Sequence, residues 1–227
     1  LQILFEDNHM LVVNKSPGEI TQGDKTGDKT LPDICKDYIK ESRNKPGNVF
    51  LHPVHRLDRP VSGIVVFALT SKALARLNKA FAGREVKKTY WALTHTEPSA
   101  PSGILINWLR KNEAQNKSYV VSDRVEGARE AKLDYRVLGR SERYTLIEID
   151  LHTGRHHQIR AQLAHAGFII RGDLKYGAPR SNRDGSISLH AVSLELAHPV
   201  AGNLLRFVAH LPPDGAWKPF EKLLSGN

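Results

Sequence analysis

Short β-favouring runs, each cut off by turn residues within a few positions, dictate that this chain builds its core from many small strands. Residues 3–5 and 10–13 flank the turn signal Glu6-Asp7-Asn8 and read as a hairpin, which Pro17-Gly18 closes. Further β runs lie at 64–69, 88–94, 117–121, 131–138, 144–151, 168–170, 187–196 and 204–210. Within 88–94, Tyr90, Ala92 and Thr94 share one face and Trp91 and Leu93 the other, because side chains alternate along a strand. The apolar run 64–69 has a strand's length, far below the ~20 residues of a membrane span. Strands outnumber helices and several pair through short turns. The expected class is therefore α+β, a mixed, mainly antiparallel sheet with flanking helices.

The helical segments are few. Thr30 reads as an N-cap, with Pro32 early and Asp33 three residues on. Leu31, Ile34, Cys35, Tyr38 and Ile39 follow at helical spacing, which places Cys35 on a buried stripe as packing, not as a nucleophile. A second helix is expected to be capped by Ser71, with Leu74, Leu77 and Phe81 inward. A third spans 156–166 and ends at Gly167, with Ile159, Leu163 and Ala166 inward. A short helix is placed within 218–224. The near-duplicate Gly23-Asp24-Lys25-Thr26 and Gly27-Asp28-Lys29-Thr30 reads as a polar loop, and no Gly-Lys-Ser/Thr closes it into a phosphate loop. No linker divides the 227 residues, so a single domain over 1–227 is expected.

Charge points to a partner. There are 33 Lys+Arg against 24 Asp+Glu, a net +9. Residues 72–88 hold six basic residues against Glu85, and 155–180 hold five against Asp173. A polyanion fits this balance, nucleic acid before membrane. One cysteine excludes a disulfide framework and a cysteine-rich zinc site. The 11 histidines include no His-Glu-x-x-His, and His156 and His157, adjacent on the expected helix, would point apart. No metal is expected. No Gly-x-Ser-x-Gly elbow is present either. The opening residues lack a basic secretory n-region, so the cytoplasm is the expected compartment.

The segment His55-Arg56-Leu57-Asp58-Arg59-Pro60-Val61-Ser62-Gly63 sets a carboxylate between two arginines, next to turn-forming residues and ahead of a strand. Two readings stand at this point. Neighbouring cations favour the ionised form, making Asp58 a competent nucleophile or base, and the same pattern fits a surface ion pair.

This segment resembles the signature of RluA-type pseudouridine synthases, and further blocks extend the resemblance. Ile3-Leu4-Phe5-Glu6-Asp7 with Val12-Val13-Asn14-Lys15 and Pro17-Gly18 is similar to the family's opening, and Lys87-Lys88-Thr89-Tyr90 to its Lys-x-Tyr strand. His152-Thr153-Gly154-Arg155-His156-His157-Gln158-Ile159-Arg160 is similar to its Thr-Gly-Arg-Thr-His-Gln-Ile-Arg motif. Gly172-Asp173-x-x-Tyr176-Gly177, Leu189-His190-Ala191 and His198-Pro199 carry the match almost to the end. Departures fall at Val61, where the family has Thr, at Ser16, at His156 in place of Thr, and at Ala161-Gln162 in place of Val-His.

The resemblance implies a pseudouridine synthase catalytic-domain fold and the isomerisation of uridines in structured RNA, ribosomal or transfer, by base flipping. It makes Asp58 the catalytic carboxylate, either attacking the sugar or abstracting a C2′ proton. It makes Arg160 the ion-pair partner of Asp58, and Tyr90 the stacking residue and candidate general base. Arg56 is implied as the residue that braces the vacated space, and Ile159 as an apolar wall. Arg59, Lys87, Lys88, Arg155 and His157 complete the RNA-binding set. The implied reaction needs no cofactor. From the residues themselves no membrane partner is expected, nothing demands an oligomer, and, since a natural chain begins with Met, an RNA-binding module upstream of Leu1 is a further expectation. The alternative is a non-catalytic RNA-binding or ribosome-assembly protein on the same scaffold.

Overall fold

A computed structural model describes residues 1–23 and 27–224. Part of the polar repeat, residues 24–26, lies outside the described residues. In chain order the elements are β1 (Gln2–Glu6), β2 (Met10–Lys15), α1 (Leu31–Ser42), β3 (His52–Pro53), β4 (Ser62–Ala68), α2 (Ser71–Ala82), β5 (Lys87–Thr94), β6 (Ser102–Asn112), β7 (Lys117–Val121), β8 (Arg129–Arg140), β9 (Thr145–Leu151), α3 (Gln158–His165), β10 (Leu189–Ala197) and β11 (Leu204–Val208). Short 3₁₀ helices cover Leu174–Tyr176 and Lys218–Leu223. Two compact units divide these elements, one of Leu1–Lys87 with Ala191–His210, the other of Lys88–His190 with Leu211–Asn227. Strands dominate and the registered pairs are antiparallel, as the α+β reading expects.

In the first unit the strand order is β1-β2-β4-β10, with β3 on β4 and β11 on β10. The hairpin turn forms as read from Glu6-Asp7-Asn8. The Asp7 carboxylate accepts the backbone N–H groups of His9 (2.7 Å) and Met10 (2.8 Å). All seven residues of β4 are buried, the mark of a strand packed on both faces. Met10, Val12, Ile64 and Val66 pack with Ala73 and Leu77 of α2 and with Leu194, Leu196 and Phe207. α1 begins in a capping box: Thr30 Oγ1 accepts from Asp33 N (3.2 Å), and Asp33 accepts from Thr30 N (3.3 Å). Leu31, Cys35 and Ile39 are its buried stripe. Burial pushes the Cys35 thiol up to about 12, which suits packing and not nucleophilic attack. The cap of α2 is Thr70, one residue earlier than expected. Its hydroxyl accepts from Ala73 N at 3.2 Å, while Ser71 already has helical geometry.

The second unit orders its strands β5-β9-β8-β6-β7. β5 is buried from Thr89 to Thr94, so both of its faces are covered. Four expectations need correction. β6, eleven residues long, was not expected: its alternation is masked by the contiguous Ile104-Leu105-Ile106, which are alternately exposed and half-buried. Residues 168–170 contribute only an isolated bridge, Thr94 with Ile170. α3 starts at Gln158, not 156, because His157 takes a left-handed backbone (φ 52°) that breaks the helix ahead of it. Ala166, expected inward, is half-buried at the C-cap.

Gly63, the second residue of β4, has φ +115°, a conformation that only glycine adopts without strain. A Cβ there would sit 2.5 Å from the Ala191 nitrogen and 2.8 Å from its carbonyl carbon. Both are backbone atoms of β10 and cannot swing aside. Gly63→Ala is expected to lower stability by about 2–4 kcal/mol, read as a shift of the urea midpoint at unchanged slope.

Candidate active site

The aspartate loop belongs to the first unit, between β3 and β4. Leu57 is buried beneath it and Asp58 is half-buried. The Val61 N–H donates to the Asp58 carbonyl (3.0 Å), closing the turn through backbone at the position where Val replaces the family's Thr. Three further groups hold the loop. Gly18 N donates to Arg59 O (2.8 Å), Thr21 Oγ1 to Leu57 O (3.2 Å), and the Lys15 ammonium to Ser16 O (3.0 Å), Arg59 O (3.1 Å) and Val61 O (2.5 Å). Lys15 ends β2 and is 1% exposed. Burial pushes its ammonium down to about 8, against the opposing pull of the Glu19 and Asp58 carboxylates.

Neighbouring motif residues divide by role. His55 Nε2 accepts the Val66 N–H (3.1 Å), and its ring stacks on Phe81 at 4.9 Å, so His55 fastens the loop's start. Arg56 and Arg59 are exposed. Arg56 donates to Gln22 (2.9 Å) and Arg59 to Asp28 (2.8 Å). Lys87, also in this unit, is exposed and 4.0 Å from Glu195.

The second unit holds the remaining motif residues. Tyr90 is buried on β5, opposite Ile149 of β9. Lys88 lies at the start of the same strand, half-buried. Arg160 and Asp173, both buried, form a two-pronged ion pair: Nε to Oδ2 at 2.7 Å and Nη2 to Oδ1 at 2.8 Å. The parallel bonds fix the guanidinium plane. That plane lies 5.1 Å from the centroid of the Tyr176 ring. The Tyr176 hydroxyl accepts from Ser118 N (3.0 Å), donates to Ser118 O (2.9 Å) and lies 3.1 Å from His157 Nδ1. His156 Nδ1 lies 2.9 Å from Ser118 Oγ.

Glutamines fasten the helix that carries Arg160. Gln158 accepts from Thr153 Oγ1 (2.8 Å) and Arg155 N (3.0 Å) and donates to Lys132 O (3.1 Å). Gln162 donates to Leu105 O, Asn107 Oδ1 and Ala131 O, at 2.9–3.1 Å. This departure from the family's Val-His therefore clamps α3 to β6 and β8. Arg155 is half-buried and donates Nε to Glu130 O (2.9 Å). Ile159 is buried in the first turn of α3.

The expectation that His156 and His157 point apart is overturned. They precede the helix, and their rings stack with centroids 3.8 Å apart. Among the described residues no group of three or more His, Cys, Asp or Glu is arranged to hold a metal ion. Sequence reasoning missed the roles of Lys15 and Asp173. Both sit in quoted motif blocks, and a lysine closing a run of buried β residues was the available signal for the first.

The family model described as RNA pseudouridylate synthase matches residues 9–165. The chain belongs to that family. The synthase is 31% identical to the ribosomal large subunit pseudouridine synthase D of Zymomonas mobilis, over 94% of this chain and 70% of that protein. It is 29% identical to the tRNA pseudouridine synthase C of Pectobacterium carotovorum, over 96% of this chain and 60% of that protein. The solved structure of human RNA pseudouridylate synthase domain containing 4 superposes with a TM-score of 0.76 at 27% identity, covering 93% of this chain and 89% of that one. The RluA-type resemblance and the α+β fold both stand.

The clamp on the aspartate loop has a pH signature. Lys15 titrates near 8 in the folded synthase, below its ordinary 10.5, so between those values the unfolded chain binds more protons. Its contribution to stability therefore rises with pH across that window, by up to about 1.4 kcal/mol per pH unit. Lys15→Met lacks this rise. Urea unfolding at pH 7.5, 9 and 10 is expected to show the stability of the original protein gaining on the variant as pH increases. Parallel curves would contradict the buried ammonium.

Proposed function

We propose that the synthase flips a uridine out of structured ribosomal or transfer RNA and isomerises it with Asp58, Tyr90 and Arg160. The reaction moves one bond, from N1–C1′ to C5–C1′, and conserves atoms and electrons, so it needs no cofactor. In this reading Asp58 is the carboxylate that acts on the sugar, at C1′ or at the C2′ proton. Arg160 is its counter-charge in catalysis, and Tyr90 stacks on the base and takes the C5 proton. A paired uridine is out of reach inside a stem, and flipping it costs a few kcal/mol of unstacking. Arg56 braces the vacated space, as a guanidinium plane stacks on bases. Arg59, Lys87, Lys88, Arg155 and His157 contact the RNA, and Ile159 walls the base pocket.

The observation that carries the proposal is the Asp58 loop, whose carbonyls are held by a buried ammonium and two further donors. So many bonds on one short loop fit a carboxylate that must keep its position while a nucleotide enters. The oriented guanidinium of Arg160 supports it on the same ground. Family membership and the names of the relatives support the RNA class. We further propose that residues 1–227 work as one catalytic domain, as a monomer in the cytoplasm. No helix among the described residues is long and apolar enough to cross a membrane.

Two variants test the assignment, with pseudouridine mapped in cellular RNA after incubation. Asp58→Asn is expected to abolish product while RNA affinity stays within about threefold, equivalent to less than 1 kcal/mol. Full activity would refute it. Tyr90→Phe keeps the ring and removes the hydroxyl. Its turnover is expected to fall by about 10²-fold or more, and normal turnover would remove the general-base role.

A further inference from the structure

The two faces of the β6–β7 hairpin meet different surroundings. On one, Leu109 and Val120 pack with Ala161 and Ala164 of α3. On the other, Ile104 and Ile106 are 59% and 57% exposed, and Trp108 and Tyr119 are also exposed. The register sets Arg110 opposite Tyr119 and Trp108 opposite Val121, so the two aromatic rings are diagonal neighbours on that face. The two strands carry the cations Arg110, Lys111 and Lys117 and no carboxylate. Lys117 Nζ lies 5.0 Å from the Tyr119 ring centroid and 4.9 Å from that of Tyr176, the ring beneath the Arg160 guanidinium. Lys117 thus reaches round the β7 edge, within one unit, from the exposed face to the Tyr176 ring, which packs with Leu109 and α3 on the other face beside the arginine cluster of the candidate site.

An exposed apolar surface of this kind marks a binding face. Two aromatic rings interleaved with cations match unpaired bases and their phosphates, which stack and pair with such side chains whatever the sequence. A second copy of the chain would have to bring carboxylates to Arg110 and Lys117, whereas RNA brings phosphates at every nucleotide. We propose that this face is a stacking platform for single-stranded RNA flanking the target uridine. One base lies on Trp108 and another on Tyr119, with phosphates on Arg110 and Lys117. The proposal rests on the reading of the Arg160 cluster as part of the RNA site.

The tryptophans provide a local probe. Trp91 and Trp217 are 1% and 2% exposed against 36% for Trp108, so quenching of intrinsic fluorescence by RNA reports Trp108. The ligand is an eight-residue oligoadenylate, which contains no uridine and cannot be isomerised. Saturable quenching is expected. Trp108→Ala should weaken binding of the labelled oligonucleotide about tenfold by anisotropy, and Trp108→Phe should recover most of it. Tyr119→Ala should also weaken binding, with Trp108 still present as the reporter. Absence of quenching, or equal affinity in Trp108→Ala, overturns the platform. So does sedimentation that shows a dimer whose Trp108 emission RNA leaves unchanged. Quenching that persists in an inactive Asp58→Asn protein supports the platform whatever the fate of the catalytic assignment.

Discussion

A lysine ammonium enclosed in protein is expensive to hold, and the aspartate loop depends on one. Lys15 gives up nearly all its hydration at the end of β2 and recovers three carbonyl partners, two of them on the loop that follows Asp58. Without the ammonium those carbonyls would be left partly unsatisfied, and the turn would rest on the Val61 and Gly18 N–H groups. Because β2 pairs with β4 along its whole length, the lysine and the strand leaving the loop belong to one rigid ladder. The loop is therefore fixed to the sheet at both ends.

A different solution operates around Arg160. There, a buried cation is matched by a buried anion, Asp173, with two well-formed bonds, the condition under which a desolvated ion pair is tolerable. The helix bearing Arg160 is short and buried all round its first turns, so its own amphipathicity does not orient it. Orientation comes from Gln158 and Gln162, which bond to strand carbonyls, and from the left-handed turn at His157. Backbone strain at a non-glycine residue persists only where surrounding contacts over-determine it. The Tyr176 hydroxyl and the stacked His156 ring are such contacts.

What the chain reveals before folding follows the range of the interactions. The β1–β2 turn, the capping box at Thr30 and Asp33, and the Cys35 stripe depend on residues within a few positions of one another, and all were legible. The start of α3 was not, because residues 156–157 continue a helical pattern and the break comes from tertiary contacts with Ser118 and Tyr176. β6 escaped because its exposed positions are apolar, which erases the alternation that marks a half-buried strand. Asp58 and Arg160 stood out through their motifs. Lys15 and Asp173 lie in matched blocks too, but their roles were not legible, since their partners lie up to 46 and 13 residues away along the chain.

The pair of hydrogen bonds between Tyr176 and Ser118 has a consequence for the edge of the sheet. β7 closes its unit's strand order, and a terminal strand presents backbone donors and acceptors to any passing chain. One phenol occupies both the N–H and the C=O of Ser118, the second residue of that short strand. A foreign strand trying to extend the ladder would have to displace a buried ring that also braces Arg160. The same tyrosine that steadies the arginine thus blocks edge-to-edge aggregation, and a mutation made to probe one role will disturb the other.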